Sequence, residues 1–256
     1  GLNISKVRAI FITHEHTDHI KGAQLLSSRY KIPVYLNHKT HYSSHLKFKP
    51  ELYRRIEHGE VIDVNGISVT GFSKLHDAID PFSFIATYND ITVGVFTDIG
   101  AVCDNLTQHM RQCHAAYLEA NYDEEMLENG RYPQHLKDRI RSGYGHLSNK
   151  QALDFFLAHK PQYMTHLFLA HLYFGEPQGA PQFFELVLRE VADRQALALA
   201  ARAAGEREPA GEQLDQRRLA GAVRPEQREH LARAQVERQP AQGLDRSESF
   251  ARVLDL

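Results

Sequence analysis

Six consecutive residues, His14-Glu15-His16-Thr17-Asp18-His19, carry four groups able to ligate a metal ion. They directly follow Val7-Arg8-Ala9-Ile10-Phe11-Ile12-Thr13, an apolar run with β-branched residues that reads as a buried strand. Two histidines two positions apart at a strand end can turn toward one ion. Asp18 and His19 lie on the turn that follows and can face a second ion beside it. An imidazole pair next to an imidazole-carboxylate pair suits Zn or Mn, both of which accept nitrogen and oxygen ligands. A polar loop that is merely rich in histidine is the plain alternative. Four potential ligands in six positions, directly after a buried strand, argue against it.

These groups need a scaffold, and the sequence supplies its outline. Ile20 to Tyr30 reads as a helix ended by Pro33, and Pro33 to Leu36 as the next strand. His38 to His58 is polar with weak helical periodicity. Asn65-Gly66, flanked by Glu60 to Val64 and Ile67 to Phe72, signals a tight hairpin. A second hairpin pairs Phe82 to Tyr88 with Ile91 to Thr97 across Asn89-Asp90. Ala115 to Ala120 reads as a strand between helical stretches, Asn149 to His159 as a helix, and Tyr163 to Ala170 as a last strand. Strands separated first by helices and then by hairpin turns imply a mixed sheet in an α/β architecture.

Thr13 to His19 resembles the HxHxDH signature of the metallo-β-lactamase superfamily. The resemblance implies an αββα sandwich and two divalent metal ions, Zn or Mn. It implies that His14 and His16 hold one ion and Asp18 and His19 the other, with Asp18 also able to orient the attacking group. Three further ligands are then expected from later in the chain. His76, in His76-Asp77-Ala78-Ile79-Asp80-Pro81, is one. Asp98, on a Thr-Asp-hydrophobic-Gly turn after Val93 to Phe96, resembles the bridging aspartate; taken alone it reads as a turn former. His171, after Phe168-Leu169-Ala170, resembles the last ligand, with His166 its nearest competitor. Gly145-His146-Leu147-Ser148-Asn149 resembles the Ser-Gly-His-Ala segment of ribonuclease J-type nucleases, which implies that His146 contacts a substrate phosphate. Ser148 or Asn149 as a helix cap is the structural alternative for that segment. These motifs, with Leu118 to Leu127, Tyr132-Pro133 and Leu136 to Ile140, are together similar to the YycJ/WalJ-type branch, bacterial cytoplasmic proteins associated with 5′-to-3′ exonuclease activity on DNA.

Composition bounds the rest. The 256 residues suffice for one large domain or two small ones. A formal net charge of −2 gives no global pull toward polyanions, so any basic patch is local. Lys137, Arg139, Arg141 and Lys150, near the His146 segment, are the candidates for that charge. Two cysteines build no disulfide framework, and a cytoplasmic location follows as the default. No run of about 18 apolar residues suggests a membrane span. After Lys160 there is no Lys, Asn or Ile, and Glu185 to Glu248 lacks aromatic residues. Residues 1–180 are therefore expected to form the metallo-β-lactamase-fold domain, lacking part of its first sheet relative to the branch. Residues 181–256 are expected to be an Ala/Arg-rich helical or disordered tail, whose composition a reading-frame shift would also produce.

The expected function is metal-dependent phosphodiester hydrolysis, with DNA favoured over RNA. Two rivals remain: another hydrolase on the same site, such as a thioesterase or lactonase, and an inactive fragment that binds metal without turnover.

Overall fold

The computed structural model describes residues 3–171 and 252–255. These fall in two compact units; the second contributes one four-residue strand, Arg252–Asp255. The Ala/Arg-rich stretch expected to be helical or disordered lies outside the described residues.

The first unit holds two sheets. The smaller consists of three parallel strands, β1 (Ile10–Phe11), β2 (Val34–Leu36) and β3 (Tyr53–Arg55), in that order. In the larger sheet, β4 (Val61–Val64), β5 (Ile67–Ser73), β6 (Phe82–Tyr88) and β7 (Ile91–Phe96) form an antiparallel meander. Next to β7 run β8 (Ala115–Glu119) and then β9 (His166–Ala170), both parallel to it. The two hairpin turns expected from Asn65-Gly66 and Asn89-Asp90 are present, with all four residues at positive φ. That backbone matches the twist of the strands on either side.

The sheets pack face to face. Phe11 and Tyr35 of the smaller sheet meet Val69, Phe82 and Phe84 of the larger, with Ile56 between them. On its outer face the smaller sheet buries Ile12, Val34 and Leu36 against Ala23 of α2 (Ala23–Tyr30). On the larger sheet α4 (Asp104–Met110) packs on β7 and buries Leu106 and Met110. This is the helix-sheet-sheet-helix layering that the sequence motifs imply. Three short helices, α1 (Thr17–Ile20), α3 (His38–Ser44) and α5 (Glu124–Asn129), with α6 (Gln134–Ile140) and α7 (Asn149–His159), complete the unit.

Three local expectations need correction. The first strand is only Ile10–Phe11, because the chain before it makes a 3-10 turn at Ile4–Lys6 instead of pairing. The helix expected from Ile20 to Tyr30 is broken at Gly22, whose φ of 88° no helix accommodates. The stretch read as weakly helical from His38 to His58 contains α3 but also strand β3, whose exposed arginines mask the strand pattern.

Candidate metal centre

Apart from His146, on the loop between α6 and α7, the chemistry-bearing residues lie at strand ends or on the segments that follow them. β1 delivers His14, with His16, Asp18 and His19 on and just before α1. β5 leads to His76, β7 to Asp98, β8 to Glu119 and β9 to His171. β1, β7, β8 and β9 each contribute at their C-terminal ends, the usual position for a ligand crevice in α/β sheets. A hydrogen bond from Phe82 N to the Thr13 carbonyl, 2.9 Å, pins the two sheets together beside this crevice.

Six imidazoles and one carboxylate converge there. His14 Nε2 lies 3.0 Å from His16 Nδ1, and the His14 ring is 4.9 Å from that of His76. Asp98 Oδ2 is 3.4 Å from His19 Nε2, and Asp98 Oδ1 is 3.2 Å from His171 Nδ1 and 3.8 Å from His76 Nε2. Asp98 thus stands between the two halves of the cluster. Three overlapping groups have ligand atoms within 4.8 Å of one another: His14-His16-His76, His14-His19-Asp98, and Asp98-His146-His171. Asp18 joins none of them; two-thirds exposed, it reaches the cluster only through His19 Nε2, at 3.4 Å.

The buried atoms show what the cluster is built to hold. His76 Nε2 and Asp98 Oδ2 are buried without a hydrogen-bond partner. Such orphaned polar atoms are costly unless a ligand or ion meets them. His76 donates from Nδ1 to the Gly145 carbonyl, 3.0 Å, which leaves Nε2 with its lone pair facing the cluster. His14 is entirely buried, and burial together with the Lys74 ammonium and His19 holds its pKa down to about 2. Burial likewise lowers His76 to about 4, against the opposing pull of Asp98. Both rings are neutral and available as ligands at neutral pH. Burial alone would push Asp98 up, yet the His171 and His19 imidazoles beside its two oxygens, and then Lys74, hold it far below the carboxylate range. His171 is pushed up to about 9, the hydrogen bond to Asp98 outweighing burial. The neutral His14 and His76 imidazoles beside an ionised Asp98 carboxylate are a donor set that fits a borderline divalent cation.

Backbone strain marks the same place. Asp98 and His171 both adopt left-handed backbone, φ 55° and 53°. Such conformations in non-glycine residues are costly and persist where the surrounding structure holds them in place.

His146 sits between the rings of His76 and His171, at 5.3 and 4.9 Å. Its Nδ1–H donates to Glu119 Oε1 at 2.6 Å, while Glu119 Oε2 accepts from Ile99 N at 2.5 Å. Glu119 is fully buried and fixes the ring so that Nε2 is the free nitrogen. Sequence reasoning singled out the segment around Glu119 but gave it no partner. Lys74, buried with Nζ donating to the Thr97 carbonyl at 2.6 Å, was missed; it interacts with both Asp98 and Glu119 and offsets their charge. Its position two residues before His76 was the signal.

The basic residues near the His146 segment are less free than expected. Lys137 is buried, its Nζ on the Glu128 carbonyl. Arg139 bonds Asp77, Arg141 bonds Asp138 and Glu128, and Lys150 bonds Asp154. Each cation is already met by an acceptor. His166, the competitor of His171, lies at the start of β9, at the far end of the strand from the cluster. His38 and His45 are exposed.

The layered fold and the histidine-aspartate cluster at its crevice define a metallohydrolase of metallo-β-lactamase fold. Residues 2–171 match the family described as the beta-lactamase superfamily domain, and the chain belongs to that superfamily. Among curated proteins it is similar to the exodeoxyribonuclease YycJ of Bacillus anthracis, 35% identical over 176 residues, 67% of this chain and 66% of that protein. It is also similar to the exodeoxyribonuclease WalJ of Streptococcus pneumoniae, 32% identical over 64% of this chain and 63% of that one. The chain thus spans about two-thirds of the length of the relatives it matches. Among solved structures, the metallo-β-lactamase-fold protein YhfI from Bacillus subtilis superposes with a TM-score of 0.54 at 18% identity, covering 73% of each chain. Zinc-bound PqqB from Methylobacterium extorquens gives 0.53 at 16% identity, covering 66% of this chain and 64% of its own. No helix among the described residues is long and apolar enough to cross a membrane.

Proposed function

We propose that this protein is a metal-dependent phosphodiesterase acting on nucleic acid, DNA above RNA, as an exonuclease. The observation that carries the reading is the Glu119–His146 pair beside the Asp98 cluster, together with the exodeoxyribonuclease names of its relatives. His14, His16 and His76 would hold one ion, Asp18, His19 and His171 the other, and Asp98 would face both. Two divalent cations, zinc or manganese, supply Lewis acidity and an activated water for attack on phosphorus.

The chain's own residues do the remainder. Lys74 keeps Asp98 ionised from behind. The Gly145 carbonyl holds His76 in one tautomer. Glu119 holds the proton of His146 on Nδ1 and stabilises the imidazolium, so that Nε2 can donate to a phosphate oxygen and offset charge developing there. Asp18, at the exposed rim, would orient the attacking group. Of these residues His14, His76 and Asp98 are buried, while His16, Asp18 and His19 stand toward a rim that a substrate can reach.

Elemental analysis of protein purified without chelator is expected to give about two transition-metal ions per chain, falling in Asp98→Ala. The loaded protein should hydrolyse bis(p-nitrophenyl) phosphate and 5′-phosphorylated DNA. Hydrolysis of a thioester or lactone with no action on either phosphodiester would reject the nuclease reading while leaving the metal centre intact.

A further inference from the structure

A phosphodiester chain entering this crevice needs cations along its path, and those beside His146 are already neutralised by acceptors. The sequence holds a second reservoir. Asp and Glu make up 32 of 256 residues, one in eight, so a 32-residue stretch would ordinarily carry about four of them. From His19 to Pro50 there is none, while the same stretch holds six cations: Lys21, Arg29, Lys31, Lys39, Lys47 and Lys49. This charge segregation begins at a candidate metal ligand.

The fold brings the start of α3 and the end of α1 to the crevice rim, and the rest of the stretch continues from there over the outer face of the smaller sheet. Asn37 caps α3, its Oδ1 accepting from Thr40 N at 2.8 Å, and its Nδ2 donates to the Asp80 carbonyl at 2.7 Å. Asp80 belongs to the loop that His76 opens, so α3 starts beside the metal cluster. Lys39, two-thirds exposed, stands 3.6 Å from the Asp80 carboxylate. One turn further along α3, Tyr42 is 78% exposed, an unusual state for a tyrosine ring. Beyond the helix, Leu46 and Phe48 pack on the core cluster of Ile12, Val34 and Leu36. Their burial displays the alternate residues, Lys47 and Lys49, to solvent. Ile20 packs on the same cluster, and Lys21 follows it at the end of α1, the helix that carries Asp18 and His19. Among the described residues, Lys21, Lys47 and Lys49 have no carboxylate within ion-pair distance.

We propose that Lys21, Lys39, Tyr42, Lys47 and Lys49 form a track for the backbone of a polynucleotide whose scissile phosphate lies at the metal centre. The lysines would neutralise successive phosphates, and Tyr42 would offer a ring on which a base can stack. The inference rests on the nuclease reading for its substrate and on the charge pattern for its place. Lys21, Lys47 and Lys49 without a carboxylate partner, with Lys39 shared with Asp80 and the bare Tyr42 ring among them, form the electrostatic footprint of single-strand binding.

The test is the double variant Lys47→Gln/Lys49→Gln in the metal-loaded protein, compared with wild type from 50 to 200 mM KCl. On an oligonucleotide, KM is expected to rise about 10-fold or more, and the log–log salt slope to shrink by about 1.4 to 1.8, the loss of two phosphate contacts. Hydrolysis of bis(p-nitrophenyl) phosphate, too short to leave the metal centre, is expected to keep its kcat. An unchanged oligonucleotide KM and salt slope, or an equal loss on both substrates, would overturn the proposal. If the loaded wild type turned over neither substrate, the nuclease reading would fail by itself. Fluorescence anisotropy with a labelled oligonucleotide would then decide the track: weaker binding by the variant supports it, and equal binding overturns it.

Discussion

Glu119 is a fully buried carboxylate, and its charge is met by Ile99 N, His146 and the nearby Lys74. Replacing one partner of a buried charged network removes an orientation as well as a charge. Glu119→Gln retains the shape but cannot stabilise a protonated His146. Its kcat on bis(p-nitrophenyl) phosphate is expected to fall about 10- to 100-fold with metal content unchanged; an unaltered kcat would mean that His146 acts without it. Both residues stood out in the sequence, one as a family segment and one as a glycine-flanked histidine. Their pairing did not, because 27 positions and two helices separate them, and the end of β8 meets that loop only through the Tyr122–Ser148 bridge and the Asn121 N to Leu147 carbonyl bond. The cysteines show the same divide between identity and environment. Cys113 is buried, which pushes its thiol up to about 12, whereas Cys103 is partly exposed. A disulfide-exchange reagent should therefore titrate one thiol in the native protein and the second only in denaturant. Two fast thiols in native buffer would contradict the packing around Cys113.

At the scale of elements, what the sequence revealed was the pattern carried by local chemistry. Both hairpin turns, α7 and the parallel strands β8 and β9 follow from turn residues and apolar runs. The break at Gly22 and the brevity of β1 depend on which neighbours are available to pair, which local pattern does not contain. The caps are intermediate. Ser148, expected as one of two possible caps, closes a full capping box with Gln151 and also donates to Glu124 at 2.9 Å. Ser148→Ala is expected to cost about 1 kcal/mol or somewhat more, read from urea unfolding. Gly145 is less forgiving: a Cβ there would lie 2.1 Å from the Ile140 carbonyl and 2.2 Å from that of Arg139. The packing of α6 against this residue is what aims its carbonyl at His76. On α4, His109 stacks on Phe72 at 4.1 Å with its Nδ1 buried and unpartnered. Burial, then His58, lowers its pKa below the ordinary 6.5. The unfolded chain therefore binds the proton more readily, so this contribution to stability is complete above 6.5 and declines as pH falls below it. His109→Gln should lose less stability than wild type between pH 7.5 and 5.5; parallel losses would show that the ring titrates normally.

Across the whole molecule, the ligand set is drawn from both sheets. His14, His16 and His19 follow β1 of the smaller sheet, while His76, Asp98 and His171 extend from β5, β7 and β9 of the larger. Between the sheets lie one apolar cluster and the Phe82–Thr13 hydrogen bond. An ion held by residues from both would therefore act as a tie across the sandwich, in addition to its chemistry. Anything that binds the native state alone stabilises it by mass action, about 2.7 kcal/mol at 100 times its dissociation constant. The metal-free protein faces the opposite effect, since the ionised Asp98 and the partnerless His76 Nε2 remain buried with incomplete compensation. Stripping with EDTA is expected to lower the melting temperature, and Zn or Mn to restore it with a dependence on free metal concentration. Asp98→Asn removes the carboxylate shared between the two halves, so its melting temperature should respond weakly to either treatment. Its metal-free form should also be less stable than metal-free wild type at neutral pH, because the variant loses the carboxylate that pairs with His171 and the buried Lys74. A wild-type melting curve indifferent to metal, with ions measurably bound, would mean that the two sheets hold their relative positions without the site and that the tie contributes only to catalysis.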